Sequence, residues 1–220
     1  MKFSRRKFLG TFAGGAVAGI MGSQHLFAEE MKPGALPKPS LGGDGSLRQA
    51  LQLRKSTKSF DGKPIPEQIL SDLLWAAFGV NRPESGKRTA PSAMNWQEID
   101  IYVVMASGLF LYEPTPHRLN RISTDDIRKL AGHQGYVDEA PVNFIYVSDY
   151  LKMKVPEKRK DVYTAANTGF IGQNVYLFCA VHGLGAVVRD AIDRPALAKA
   201  MKLRDDQKIV LAQTVGYPKS

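Results

Sequence analysis

The spacing of apolar positions changes several times along this chain, and each change predicts an element. Ile69, Leu70, Leu73, Leu74, Ala77 and Phe78 recur at three- and four-residue intervals behind Pro66, which predicts a helix with one buried stripe. Ser46 to Leu53 predicts a shorter helix leading into Arg54-Lys55-Ser56-Thr57-Lys58. Residues 80–95 collect Asn, Pro, Gly and Ser and predict a long loop. Ile99 to Met105, rich in Ile, Tyr and Val, predicts a strand. Gly108 to Tyr112 and Arg118 to Ile122 predict a hairpin around Glu113-Pro114-Thr115-Pro116. Ser123 or Thr124 predicts the cap of a helix toward Ala131, with Asp125 and Asp126 in its first turn.

Val142 to Val147, Ala186 to Arg189 and Lys208 to Val215 predict three more strands, and Pro195 to Met201 a further helix. Asp161 to His182 is the longest helical candidate, apolar or small on nearly every side. Such a helix must be buried on most faces, which predicts that a second subunit covers part of it. Helices and strands interleave without a strict βαβ rhythm, so the expected fold class is α+β with three layers, α/β/α.

The N-terminal segment departs from these patterns. Met1 to Gly10 carries four positive charges and no acid, Phe8 to Met21 is apolar and small, and Leu26-Phe27-Ala28 offers a cleavage site. That order predicts a signal peptide over residues 1–28, with a linker over 29–45 and one domain over 46–220. Ser4-Arg5-Arg6-Lys7-Phe8-Leu9 is similar to the twin-arginine export signal, with Gly10 where that pattern often has Lys. The resemblance implies passage through the twin-arginine translocase and a folded periplasmic protein.

Composition removes several function classes. Loss of residues 1–28 takes away four cations and no acid, so the net charge falls from +9 to +5. No dense basic run interleaves with aromatics, so nucleic acid is not an expected partner. Lys152, Lys154, Lys158, Arg159 and Lys160 are interrupted by Val155-Pro156-Glu157 and are read as a solvated loop. Cys179 is the sole cysteine and sits in an apolar stretch, which excludes an intrachain disulfide and suggests a small core residue. Asn81 stands where a phosphate loop ending Gly86-Lys87-Arg88-Thr89 would need its first Gly. The mature segment has no strand-linked Gly-x-Gly-x-x-Gly, no Gly-x-Ser-x-Gly elbow, and no metal-ligand spacing among His117, His133 and His182.

Arg54, Ser56 and Lys58 alternate just past a helix, placing two cations and a hydroxyl on one side of an extended segment. That trio suits a phosphate monoester, although a solvated basic loop would look the same. In sequence it resembles the FMN-phosphate motif of the nitroreductase family, Arg-x-Ser-x-Arg/Lys followed by Phe60 and a proline turn. Arg88-Thr89-Ala90-Pro91-Ser92-Ala93-Met94-Asn95-Trp96-Gln97 is similar to the family's second flavin segment, Pro-Ser-x-x-Asn-x-Gln. Gly183-Leu184-Gly185-Ala186-Val187-Val188 and Val215-Gly216-Tyr217-Pro218 resemble two more family segments, so the likeness runs from about Leu47 to Pro218.

The resemblance implies a nitroreductase-like homodimer with a mixed, mostly antiparallel sheet flanked by helices, and one FMN per site at the subunit boundary. It implies that Arg54, Lys55, Ser56, Lys58, Arg88, Pro91, Ser92, Ala93, Asn95 and Gln97 bind the cofactor. It also implies that the backbone of Asp190 and Ala191 approaches the flavin N5. Many members end in a Lys/Arg pair that clamps the phosphate; here Lys219 would substitute, or Arg88 and Arg189 would take the load. Leu73 to Gly79 and Gly108 to Pro114, with His117-Arg118-Leu119, look like the SagB-type branch. The adjacent Lys-Tyr pair of its azoline-oxidising members is missing, so a small-molecule electron acceptor is favoured over a peptide heterocycle.

Three functions remain open: an FMN-dependent oxidoreductase, a flavin-binding protein without turnover, and a cofactor-free relative. Because NADH and NADPH are not expected outside the cytoplasm, the predicted electron donor is a quinol or a redox protein. Less specific readings stay beside these. Trp75 is most simply a core residue, Asn174 a cap on packed structure, and Arg189 an ion-pair partner. Tyr112 and His117 are hairpin surface residues without chemistry.

Overall fold

The structure, a computed structural model, describes residues 33–40 and 45–219. The expected signal peptide lies outside the described residues. In chain order the elements are β1 (Gly34–Ala35), α1 (Leu47–Leu53), α2 (Glu67–Phe78), β2 (Val80–Arg82), β3 (Lys87–Arg88), β4 (Ile99–Met105), β5 (Gly108–Glu113) and β6 (Arg118–Ser123). They continue with α3 (Tyr136–Glu139), β7 (Val142–Asp149), α4 (Glu157–Val181), β8 (Gly185–Arg189), α5 (Arg194–Met201) and β9 (Gln207–Gly216).

Seven strands form one sheet in the order β1-β6-β5-β4-β7-β9-β8, and each neighbouring pair is antiparallel. Alternation along β4 divides the core. Ile99, Ile101, Val103 and Met105 point to the face covered by α2 and α4, with Phe110, Phe144 and Tyr146 beside them. Tyr102 and Val104 point the other way, toward Leu197 and Met201 of α5 and Val137 of α3. Strand β7 lies between β4 and β9, and all eight of its residues are buried, as a central strand covered on both faces requires. The result is the expected α+β architecture of three layers.

Four local expectations change. Ser123 ends β6 rather than capping a helix; its hydroxyl accepts from the Asp125 N–H in a local turn, and only a 3-10 turn at Arg128–Ala131 follows. The 80–95 loop contains the β2–β3 hairpin and two 3-10 turns. Helix α4 begins at Glu157, directly behind Pro156, so part of the 152–160 basic stretch lies in its first turn. Two of those cations are paired, Lys152 with Asp100 and Lys160 with Glu157.

The fourth change concerns residues 34–40, expected within a linker. Leu36 is buried, and Gly34–Ala35 pairs with β6. Lys38 and Pro37 carbonyls accept from Gln68 and Ser71 of α2, and the Ser40 N–H donates to Asp72. The segment is a strap across the fold. His117 anchors it: its carbonyl accepts from Leu36 N–H, its Nε2 lies 2.8 Å from Ser71 Oγ, and its Nδ1 lies 2.9 Å from the Tyr112 hydroxyl. Tyr112 is 2% exposed, so the expectation of two surface hairpin residues is corrected. Burial lowers the His117 pKa, as it must for a ring that accepts at one nitrogen and donates at the other.

Candidate functional site

The segment after α1 is fixed as an added edge strand. Ser56 makes a parallel bridge to Ala186 of β8, and the Thr57 N–H donates to the Ala186 carbonyl. Strict alternation then separates the side chains. Ser56 Oγ lies 3.2 Å from the Tyr176 hydroxyl, which also accepts from the Val188 N–H. Half-buried Arg54 lies over the same ring, 5.5 Å from its centroid. Lys55 and Thr57 face a cleft of about 400 Å³ bounded by Leu53, Cys179, Leu184 and Pro218. Alternation turns Lys55 away from Arg54 and Ser56, although the Tyr176 that those two residues meet also lines the cleft Lys55 faces.

The chain end returns to this edge. Phe60 bridges Pro218, the Asp61 N–H donates to Tyr217, and the Lys219 N–H donates to the Ser59 carbonyl. Lys219 is thereby placed one residue from Lys58, its Nζ resting 2.8 Å from Glu139 in an exposed pair. Asp190 and Ala191 stand exposed where β8 ends. Arg194 holds that exit: it ion-pairs with Asp190 and donates to the carbonyls of Ile209 and Val210. Residues 54–58, 185–191 and 215–219, remote in sequence, thus meet at one sheet edge.

Arg189 is not part of that surface. It is 5% exposed and donates to Thr214, Asn143 and the Ala131 carbonyl, all neutral oxygens. Among the described residues it has neither an ion-pair partner nor a path to a phosphate, so both expectations for it are corrected. Burial lowers its pKa to about 10. Arg88 is also elsewhere, 4.4 Å above the Phe78 ring beside Asp100 and Tyr112, with its buried Nε unpaired. Strands β4, β7 and β9 separate that place from β8. Asn174 does cap packed structure, donating to the carbonyls of Ala76 and Ala77 at the end of α2, and half-buried Trp75 donates to Val80.

The second flavin-like segment is a taut loop. Met94, Asn95 and Gln97 have φ of 51°, 54° and 50°. Each left-handed non-glycine residue costs on the order of 1–3 kcal/mol, so the surroundings must impose this shape. Ser92 Oγ accepts from the Gln97 N–H, and Gln97 Nε2 donates to the Gly86 carbonyl and Asn95 Oδ1. Pro91 and Met94 stand at the surface. The loop docks on α4, where Asn167 Oδ1 accepts from Ala93 and the Trp96 ring stands edge-on 5.3 Å from Tyr163. Tyr176, at the phosphate-like edge, lies 13 residues further along α4, about 20 Å at helical rise. The loop and the β8 edge therefore meet α4 at different turns.

Sequence reading missed Tyr176, Glu98 and Asn167. Tyr176 sits in a helix among apolar residues and gives no local sign of bridging Ser56 to Val188. Glu98 follows Gln97 directly and could have been noticed as a carboxylate opening an apolar strand.

The model of the nitroreductase family matches residues 51–217. A solved structure from Ralstonia eutropha JMP134, provisionally called a nitroreductase, is 42% identical and superposes with a TM-score of 0.81, covering 84% of this chain and 89% of its own. A Methanocaldococcus jannaschii protein with the same provisional name is 28% identical over 174 residues, 72% of this chain and 85% of that one. The NADPH:FMN oxidoreductase of Vibrio harveyi, solved with NAD+, shares the fold at 17% identity and a TM-score of 0.58, covering 79% of this chain and 69% of its own.

Proposed function

This chain belongs to the nitroreductase family, and on that premise we propose that it is an FMN-dependent oxidoreductase acting on a small quinone- or nitroaromatic-like acceptor. The observation that carries this reading is the meeting of residues 54–58, 185–191 and 215–219 at the β8 edge. The donor set there fits a flavin phosphate: a guanidinium fork, a hydroxyl and the ammonium of Lys58, with no carboxylate from residue 54 to 60, and the ammonium of Lys219, which would exchange its exposed pair with Glu139 for the phosphate. Arg54 and Lys58 would hold the phosphate, and Ser56, braced by Tyr176, would orient it. Backbone amides at Asp190 and Ala191 would donate to the ring edge and stabilise negative charge on reduction. The flavin supplies the hydride chemistry when bound, so no side chain is needed as acid or base.

A homodimer accounts for the separated halves. One face of α4 is left outside the core, with Val162, Ala165, Ala166, Gly169 and Phe170 exposed. Phe170 is 46% and Val162 69% exposed, and Leu47 and Leu51 of α1 add 67% and 54%. If α4 packs antiparallel against the partner's α4, crossing near residue 171, Asn167 of one chain stands opposite the partner's Tyr176. The 91–97 loop of one subunit then closes the site on the 54–58 edge of the other, excluding water from the ring.

Two finer assignments rest on sequence. The Leu73–Gly79 and Gly108–Pro114 segments favour the SagB-type branch, and the Ser4–Leu9 pattern favours folded export to the periplasm with a quinol or redox protein as donor. Cell fractionation tests export: an Arg5→Lys, Arg6→Lys variant that still leaves the cytoplasm would rule out the twin-arginine route.

The visible spectrum of the purified protein tests the cofactor, and steady-state quinone or nitroaromatic reduction tests turnover. Flavin bands with turnover are expected. A colourless protein that takes up no added FMN would overturn the reading, and bound flavin without turnover would make the chain a flavin-binding protein instead.

A further inference from the structure

Glu98 is 0% exposed and stands between the taut loop and Ile99, the first residue of β4. Among the described residues no Lys, Arg or His pairs with it. Its side chain instead receives two neutral donors, one on each oxygen. Ser92 Oγ donates to Oε2 at 3.1 Å, and Asn167 Nδ2 donates to Oε1 at 2.7 Å. Each donor is simultaneously an acceptor for a loop amide: Ser92 Oγ from the Gln97 N–H at 2.8 Å, and Asn167 Oδ1 from the Ala93 N–H at 3.4 Å. Two hydrogen-bond relays therefore run from the loop backbone to one buried carboxylate, through a hydroxyl and through an amide. The Glu98 carbonyl, accepting from the Asp149 N–H, fixes the main chain at the sheet.

A backbone N–H can only donate, so Ser92 Oγ and Asn167 Oδ1 accept from the loop; toward an ionised Glu98 the Ser92 hydroxyl and the Asn167 amide N–H then donate, one to each oxygen. Bonds polarised in series toward a carboxylate strengthen one another, and they are short of competition from water in a buried place. The relays grip the loop at Ala93 and Gln97, on either side of Met94 and Asn95. Together with the Gln97 Nε2 bonds to the Gly86 carbonyl and Asn95 Oδ1, they hold Met94, Asn95 and Gln97 in left-handed backbone against their intrinsic preference.

We propose that Glu98 is a positioning residue: through Ser92 and Asn167 it sets the 91–97 loop in the shape that closes over the flavin. The inference rests on the flavin reading above. It assigns a role to a buried carboxylate that touches neither cofactor nor substrate.

Glu98→Gln keeps the volume but removes the charged acceptor and presents an NH₂ to one partner. Toward Asn167 two NH₂ groups would face each other, and toward Ser92 the hydroxyl would have to turn from donor to acceptor, so one relay is weakened in either orientation. Amide hydrogen exchange in the flavin-free protein reads the relays directly, and FMN fluorescence titration reads their consequence. In Glu98→Gln, exchange at Ala93 or Gln97 should accelerate at least about tenfold, and the FMN dissociation constant should rise by about tenfold, the effect of one lost charge-assisted bond. The unfolding midpoint of the same variant, measured alongside, separates loss of the relays from loss of the fold. Ser92→Ala, at a half-buried loop position, keeps the test decisive if the Gln variant folds poorly: it should expose the Gln97 amide and leave Ala93 protected. Unchanged exchange in the variants, or faster exchange with wild-type FMN affinity, overturns the proposal. A wild-type protein that binds no FMN sinks the flavin reading instead, and the two failures are distinguishable.

Discussion

Arg54 and Lys55 are neighbours of like charge, and only the structure separates their roles. Segment 54–58 extends along β8, so successive side chains fall on opposite sides: Arg54 and Ser56 meet Tyr176, while Lys55 faces the cleft beside Cys179. Arg54→Ala should weaken FMN binding about ten- to a hundredfold, the range for a lost charge-assisted contact. Lys55→Ala should change it by less than about threefold, since an exposed ammonium lacks the bidentate fork of Arg54. Equal losses in the two titrations would show that the alternation does not govern the site. The motif itself was legible as a basic, hydroxyl-bearing run. Which of its cations face the ligand was not, because that depends on the bridge to Ala186, 130 residues away. Arg189 makes the same point in reverse: it was a candidate stand-in for a C-terminal basic pair, but its side chain turns into the core toward Asn143 and Thr214.

At the scale of elements, legibility followed the strength of local constraint. Strand β4 was readable to its ends because alternating residues fill two separate cores. Helix α2 was readable from its stripe and from Pro66, which caps it. The stretch Ser123-Thr124-Asp125-Asp126 was misread because a helix cap and a hydroxyl-stabilised turn use the same residues, and the pairing of Leu109 with Ser123 decides between them. Strand β1 has two residues and no pattern; Leu36 and the His117 carbonyl place it. Edge packing also yields a test. An added Cβ at Gly185 would stand 2.6 Å from the Cβ, Cγ2 and Oγ1 of Thr57. Because Cβ of a branched residue cannot swing away, Gly185→Ala must push the 55–57 segment off β8 at a cost of about 1–3 kcal/mol. The variant should fold and bind FMN about tenfold more weakly; wild-type affinity would mean that the edge segment does not shape the site.

For the molecule as a whole, the sequence foresaw a long helix too apolar for one subunit, and the structure locates the uncovered part. Helix α4 buries Thr164, Asn167, Thr168, Ile171, Val175 and Cys179 against its own sheet and leaves Val162, Ala165, Ala166, Gly169 and Phe170 open on the other side. That helix also spaces the loop's docking points, Tyr163 and Asn167, from the edge contact at Tyr176 by about 20 and 14 Å at helical rise. The central claim is thus that each site is built from two chains. Obligate interfaces of this sort bury on the order of 2,000–5,000 Å² and are symmetric. Size-exclusion chromatography with light scattering and flavin absorbance, run on the FMN-loaded protein, measures mass and occupancy together. The account predicts a species of twice the chain mass carrying one FMN per chain. A monomer with full flavin occupancy would contradict it.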